Sequence, residues 1–226
     1  MQSPILLQNK IPFQVERKFL ESSPFFHGDP NRKDIIALWQ TGLAIARPKA
    51  VALRVAVQVG ATGNVEALGG EAVRSPLLDR NLAGQEETFV YAATCGQELA
   101  HLDPGPDAPC QAALFVLRMQ ALAAAQNHLI HVLQEQFHTL PLAAMNPGSL
   151  PIWPLSQQKP IFTLLGEGLT EIGLTLDPQG VLQPMESAYG ILFETKQPYE
   201  NCMLCENISC PGRRAGYDKT MAALYR

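Results

Sequence analysis

The chain has 226 residues, of which 46 % are apolar, so it can bury a substantial core in one large domain or two small ones. Its formal net charge of −4 excludes the strongly basic surface that is typical of nucleic-acid-binding proteins and of polybasic membrane contacts. The N-terminus has no charged region that leads into a long apolar stretch, so we expect neither a signal peptide nor a membrane span. We therefore expect a cytoplasmic protein with neither nucleic acid nor a membrane as its partner.

The first half of the chain is predicted to alternate short helices with strands. Residues 4–20 are interpreted as an early strand or arm, and apolar residues at helical spacing from Lys33 predict a helix that stops near Gly42. Two stretches rich in valine or aromatic residues, 50–59 and 87–94, predict strands. The shorter features are a glycine-bearing turn or hairpin at 60–70, a short helix at 76–83, Cys95 as a site residue or a small apolar filler, and a loop at 101–110.

The second half is dominated by one long helix. Residues 111–137 are apolar on almost every face, which indicates a helix that is substantially buried. Proline and glycine are frequent over 141–160. The remaining predicted features are a short helix at 161–165, a strand within 170–176, a turn at 177–180 and a strand at 189–193.

Three of the five cysteines, Cys202, Cys205 and Cys210, form a C-x-x-C-x-x-x-x-C cluster near the C-terminus. Cysteines at this spacing can direct their thiolates at one centre, as in zinc and iron–sulfur sites, and the following Arg213 and Arg214 would favour thiolates and an anionic cluster. A structural zinc site is normally closed by four protein ligands, and no histidine follows His138. The pattern therefore favours a [4Fe–4S] cluster over zinc, with the fourth position exchangeable or filled from elsewhere in the chain. Free thiols remain an alternative.

An ordered series of motifs supports a resemblance to a known family. The series consists of Phe89 to Gly96 with the long helix after it, Asn146-Pro147-Gly148-Ser149, Pro154 to Leu165, Ile172 to Leu176, Gln183-Pro184 and Ser187 to Phe193. Together these motifs resemble the activation domain of cobalamin-dependent methionine synthase, and the cysteine-bearing tail is similar to the stand-alone proteins of that family from anaerobes. The resemblance implies an α+β fold, a twisted antiparallel sheet with packed helices. We divide the chain into an N-terminal arm (1–30), this domain (31–200) and a C-terminal cysteine segment (201–226).

The family binds S-adenosylmethionine through an Arg-x-x-x-Gly-Tyr motif. The matching residues here run from Ala144 to Ser149, and of the three defining residues only the glycine is present. An arginine would pair with the carboxylate of the ligand, so its absence argues against S-adenosylmethionine-dependent methylation of cobalamin. The resemblance still makes this turn the candidate cofactor-binding site, with Trp153 as an aromatic face for a planar cofactor or as an anchor of the loop. The candidate residues are Asn146, Pro147, Gly148, Ser149 and Trp153.

The leading functional hypothesis is an accessory protein of corrinoid-dependent methyl transfer. An iron–sulfur cluster on Cys202, Cys205 and Cys210 would deliver an electron to cobalamin on a partner, which the resemblance implies is a corrinoid-carrying methyltransferase or methionine synthase. One alternative is a non-catalytic module that binds a corrinoid or its carrier and holds zinc or no metal. A third is S-adenosylmethionine-dependent methylation of cobalamin.

Overall fold

The structure, a computed structural model, describes residues 5–15, 33–210 and 212–225. Most of the arm that we predicted over residues 1–30 lies outside the described residues, as does Pro211 of the cysteine segment.

Within the described residues, seven strands form one antiparallel sheet in the order β4-β3-β2-β5-β9-β6, with β1 beside the first half of β2. A separate hairpin is formed by β7 and β8. The predicted α+β fold, an antiparallel sheet with packed helices, is confirmed. The strands are β1 (Leu6–Gln8), β2 (Lys49–Val59), β3 (Val65–Leu68), β4 (Glu71–Ala72), β5 (Glu87–Thr94), β6 (Leu142–Met145), β7 (Thr175–Leu176), β8 (Leu182–Gln183) and β9 (Ser187–Glu194).

Eight α-helices and a 3-10 turn at Leu155–Gln158 are found in the described part of the chain. The helices are α1 (Lys33–Ile45), α2 (Pro76–Asn81), α3 (Gln97–Ala100), α4 (Ala108–Phe137), α5 (Lys159–Leu165), α6 (Glu167–Glu171), α7 (Asn201–Leu204) and α8 (Lys219–Ala223). The helix predicted over 111–137 is thus confirmed as α4, but it starts earlier. Asp107 caps it by accepting from the backbone N–H of Cys110 at 3.0 Å, and Pro109 fits its first turn.

Among the described helices, only α4 is long and apolar enough to cross a membrane by length and composition. Core helices pass the same test. Nine of its residues are buried, and it contacts α1, β2 and β5. This is the packing of a core helix.

The sheet separates two apolar layers because its side chains alternate between faces. On β5, Phe89 and Tyr91 point to the layer that contains α4, whereas Val90 and Ala92 point to the opposite layer. The opposite layer is covered by the short helices α2, α5 and α6 together with Trp153. The residues of the candidate site lie beside the end of β6, the strand at one margin of this sheet.

Two of the sequence predictions need correction. The first helix does not stop at Gly42 but continues to Ile45, because Gly42 serves packing rather than termination: a Cβ there would lie 2.5 Å from the Leu117 Cδ2 atom of α4. The strand predicted within 170–176 is reduced to Thr175–Leu176, since the preceding residues form α6.

Cys95, at the end of β5, is fully buried against α1 and α4 and so acts as an apolar filler. Burial raises the pKa of its thiol from 9.0 to about 12, with the nearby Glu186 raising it further and Arg118 lowering it. In the unfolded chain the thiol loses its proton near pH 9.0, whereas the folded protein keeps it to higher pH. Above pH 9.0 the unfolded state therefore binds fewer protons than the folded state, and a further rise in pH shifts the equilibrium towards unfolding.

We expect the free energy of unfolding to fall as the pH rises from 9.0 towards 12, with Cys95 contributing up to about 1.4 kcal/mol per pH unit. Urea unfolding across this range should show a shallower decline for Cys95→Ala than for the wild type. Equal declines in the two proteins would show that this thiol does not titrate as its burial requires.

Candidate functional site

Within the C-terminal region 201–226, residues 201–217 form the cysteine segment proper, which is built into the fold rather than attached to its surface. It starts with α7, and the backbone N–H of Asp218 donates to the carbonyl of Met203 at 2.9 Å, so the end of the segment returns to its start. Leu204 and Cys205 pack against the same apolar layer as Tyr199 and Tyr225, which flank the segment on either side. Both ends of the loop are therefore anchored in the core.

The three cysteines differ in exposure. Cys202 and Cys205 are half-buried, Cys210 is exposed, and all three are free thiols. A tetrahedral zinc site with Zn–S bonds of about 2.3 Å places its sulfurs about 3.8 Å apart. Within the described residues, one group of three His, Cys, Asp or Glu side chains has ligand atoms that all lie within 4.8 Å of one another. Cys202, Cys205 and Cys210 do not belong to this group.

Arg213 holds the loop together. Its guanidinium donates to the backbone carbonyls of Cys202 at 2.8 Å, Cys205 at 2.7 Å, Asn207 at 2.8 Å and Ala215 at 2.9 Å. Its Nε–H is buried and has no hydrogen-bond partner among the described residues. The loop thus curls around a cation that retains one unused donor.

Arg214 supplies two further contacts. Its backbone N–H donates to the sulfur of Cys202 at 3.5 Å, and its guanidinium pairs with Glu200 at 2.9 Å on the surface. An N–H donor directed at a sulfur is the kind of contact that orients a metal ligand.

The predicted cofactor turn lies directly against the cysteine segment. The Asn146 side-chain amide donates to the Tyr91 hydroxyl at 3.0 Å and to the backbone carbonyl of Tyr189, and its oxygen accepts from Asn201 at 3.2 Å. Asn201 is buried and immediately precedes Cys202, so one hydrogen-bonded path connects the turn with the first cysteine. Burial raises the pKa of the Tyr91 phenol, which also accepts from Gln126 on α4 at 3.2 Å.

The other residues of the predicted site are arranged as a turn with a buried anchor. The backbone N–H of Gly148 donates to the Trp153 carbonyl at 2.8 Å, and Gly148 has the left-handed φ of +82° that this turn requires. Pro147 is buried, whereas Gly148 and Ser149 are exposed. Trp153 is fully buried in the layer opposite α4, and its indole N–H has no partner within the described residues. This placement favours the anchoring alternative over a face for a cofactor.

A cleft of about 1140 Å³ adjoins the cysteine segment. It lies between α2, the end of β9, α7 and α8, and Met203 forms part of its wall. The aromatic rings of Phe193 and Tyr199 lie 5.2 Å apart among its lining residues, and the Tyr199 hydroxyl donates to Asn201 at 2.9 Å. Sequence reasoning did not predict this cleft, because its aromatic residues follow no regular spacing.

The tight group found among the described residues is Asp34, Asp107 and Cys110, far along the chain from the predicted ligands. Asp107 caps α4, and the Cys110 thiol lies 3.6 Å from the Asp34 carboxylate. Burial and then the two carboxylates raise the pKa of this thiol to about 11. These contacts join Asp34 of α1 to the start of α4.

No protein-family model matches the chain, and no curated protein matches it. Among solved structures, the fold is similar to that described as the crystal structure of the MetH reactivation domain bound to AdoHcy. The TM-score is 0.55 with 17 % sequence identity, and the similarity covers 84 % of this chain and 72 % of that chain. The resemblance stated from the sequence is thereby confirmed at the level of the fold.

Proposed function

We propose that this protein is a cytoplasmic accessory protein of corrinoid-dependent methyl transfer, which reductively activates cobalamin by delivering an electron through an iron–sulfur cluster on Cys202, Cys205 and Cys210. The observation that carries the proposal is the position of the cysteine segment, which is anchored in the core of a fold similar to the MetH reactivation domain. The partner would be a corrinoid-carrying methyltransferase or a methionine synthase.

The chemistry of the segment fits an iron–sulfur cluster. Its three thiols are free and near the surface, an N–H points at one sulfur, and the buried Nε–H of Arg213 is a donor available to an anionic group. Each cysteine of a [4Fe–4S] cluster binds a different iron, so three cysteines in one loop can hold three of its irons. When bound, the cluster would supply a one-electron carrier. The chain would hold it, shield Cys205 and direct hydrogen bonds at its ligands.

A ligand of the S-adenosylmethionine type is the alternative that the similar structure favours, since that protein is described as bound to AdoHcy. The local chemistry of this chain supports it less. Ala144 stands where the motif has its arginine, and the Asn146 side chain is already engaged by Tyr91, Tyr189 and Asn201. A non-catalytic binding module that holds zinc or no metal is the second alternative, and the cleft beside α7 is the feature that favours it.

The proposal is tested by anaerobic purification of the full chain, followed by iron, sulfide and zinc analysis and spin resonance of the dithionite-reduced protein. We expect iron, sulfide and a reducible cluster signal in the wild type and their loss in Cys205→Ala. Cys95→Ala is the matched control, because it removes a thiol outside the segment and should retain the cluster.

Titration of the reduced protein with cob(II)alamin bound to its carrier should then oxidise the cluster as cobalt is reduced. Wild-type protein that contains zinc or no metal under strict anaerobiosis would contradict electron delivery and leave the binding module. Binding of S-adenosylmethionine without iron would instead support the methylation alternative.

A further inference from the structure

We infer that Arg213 is the positioning residue of the metal site and that it gives the cysteine loop its shape before any metal binds. The inference deepens the proposed function and rests on it for the identity of the metal. In small zinc domains, binding of the ion and folding are a single event, so the metal itself gives the loop its shape. In this protein Arg213 has that role.

Four backbone carbonyls meet at the guanidinium of Arg213. Three of them, from Cys202, Cys205 and Asn207, belong to the first half of the loop, and the fourth, from Ala215, belongs to its end. The side chain therefore fastens the two halves of the loop to each other across the cysteines. Because all four partners are backbone atoms, the contacts fix the path of the chain rather than the rotamer of a neighbouring side chain.

The geometry also explains why the residue is arginine. The planar fork presents five N–H donors in fixed directions, so NH1 and NH2 can each serve two carbonyls at once. Lysine would keep the charge but offers three donors from one point and could not span the same four acceptors. Charge alone is thus insufficient for this role.

Arg214 provides the internal comparison. Its guanidinium is 54 % exposed and pairs with Glu200, whose side chain is 39 % exposed, so the pair is screened by solvent and contributes little to the loop. The two adjacent arginines therefore differ in role although they carry the same charge. Arg213 organises the loop, whereas the Arg214 side chain lies on its surface.

Two consequences follow for the loop. The metal-free protein should keep the loop ordered, because its internal contacts do not involve the thiols as ligands. The residual Nε–H of Arg213 lies buried beside the ligand-bearing backbone, so substitution should also change the electronic environment of a bound cluster.

The test uses hydrogen exchange on the metal-free full chain. Arg213→Lys and Arg213→Gln should raise amide exchange over residues 202–215 by about tenfold or more relative to the wild type, since the charged hydrogen bonds that hold the loop are lost. Arg214→Gln is the matched control and should exchange as the wild type does. Far-ultraviolet circular dichroism and exchange in β2 and β5 verify that each variant is folded, and Arg213→Lys serves if Arg213→Gln does not fold.

The second readout is the reconstituted protein. Arg213→Lys should lose iron faster than Arg214→Gln and should show a shifted reduction potential and an altered spin-resonance signal, which a purely structural residue would not change. Equal exchange in the Arg213 and Arg214 variants would overturn the inference. Protected exchange in wild-type protein that nevertheless takes up no iron would overturn the proposed function but not the organising role of Arg213.

Discussion

Replacing Trp153 with alanine should lower the free energy of unfolding by about 3–5 kcal/mol, the range for loss of a large buried aromatic side chain. Trp153 has no exposed surface and packs in the same apolar layer as Val90 and Ile191 on the central strands. Its removal would leave a cavity that the rigid sheet cannot fill. Urea unfolding followed by far-ultraviolet circular dichroism measures the loss.

Two controls separate anchoring from ligand binding at this position. Trp153→Phe retains most of the buried ring, so it should lose much less stability and should keep any bound iron. Leu155→Ala removes an exposed apolar side chain from the following turn and should change stability by less than about 1 kcal/mol. A decrease of less than about 1 kcal/mol in the free energy of unfolding for Trp153→Ala would mean that the tryptophan does not anchor the loop. This result would instead favour the alternative in which Trp153 is an aromatic face for a cofactor.

The second large effect is expected for Gly190→Ala in β9. A Cβ at Gly190 would lie 2.2 Å from the Met145 carbonyl oxygen and 2.7 Å from the Asn146 amide nitrogen. The first of these atoms belongs to the backbone of β6, so the clash can be relieved only by moving that strand. We expect a loss of about 3 kcal/mol, at the upper end of the usual cost of overpacking.

The same substitution should loosen the cysteine segment, because Asn146 carries the contact from the sheet to Asn201. Hydrogen exchange over residues 201–205 should rise in Gly190→Ala even under conditions where the protein remains folded. Gly216→Ala is the control, since a Cβ there meets nothing within 4 Å, and it should leave both stability and exchange unchanged. If Gly190→Ala were as stable as Gly216→Ala, the close approach of β6 to β9 would not be needed.

The sequence pattern was sufficient to predict the elements whose structure depends on residues nearby in the chain. The valine-rich stretch of β2 and the apolar helix α4 were both expected, because alternation and helical periodicity are written within a few residues. The prediction that the first helix stops near Gly42 was wrong because the role of this glycine depends on a residue far away in the chain. Whether a glycine ends a helix or admits a neighbouring one depends on Leu117, which lies 75 residues away in sequence.

The same distinction between local and distant contacts applies to the candidate site. The three cysteines could be predicted as a ligand set because their spacing lies within nine residues of sequence. The contact between Asn146 and Asn201 spans 55 residues and exists only because β9 pairs with β6 and then delivers the chain to the start of α7. No periodicity in either stretch predicts this contact.

The sequence by itself determined the strands β2, β5 and β9, the long core helix and the spacing of the three candidate cysteine ligands, since each follows from side-chain type and position along the chain. It also carried the resemblance through which the fold was expected. The tertiary structure alone decided that Trp153 is buried, that Asn146 touches the cysteine segment and that Arg213 rather than Arg214 lies inside the loop. Two adjacent arginines have the same charge and the same propensity, and only the path of the folded backbone places four carbonyls around one of them.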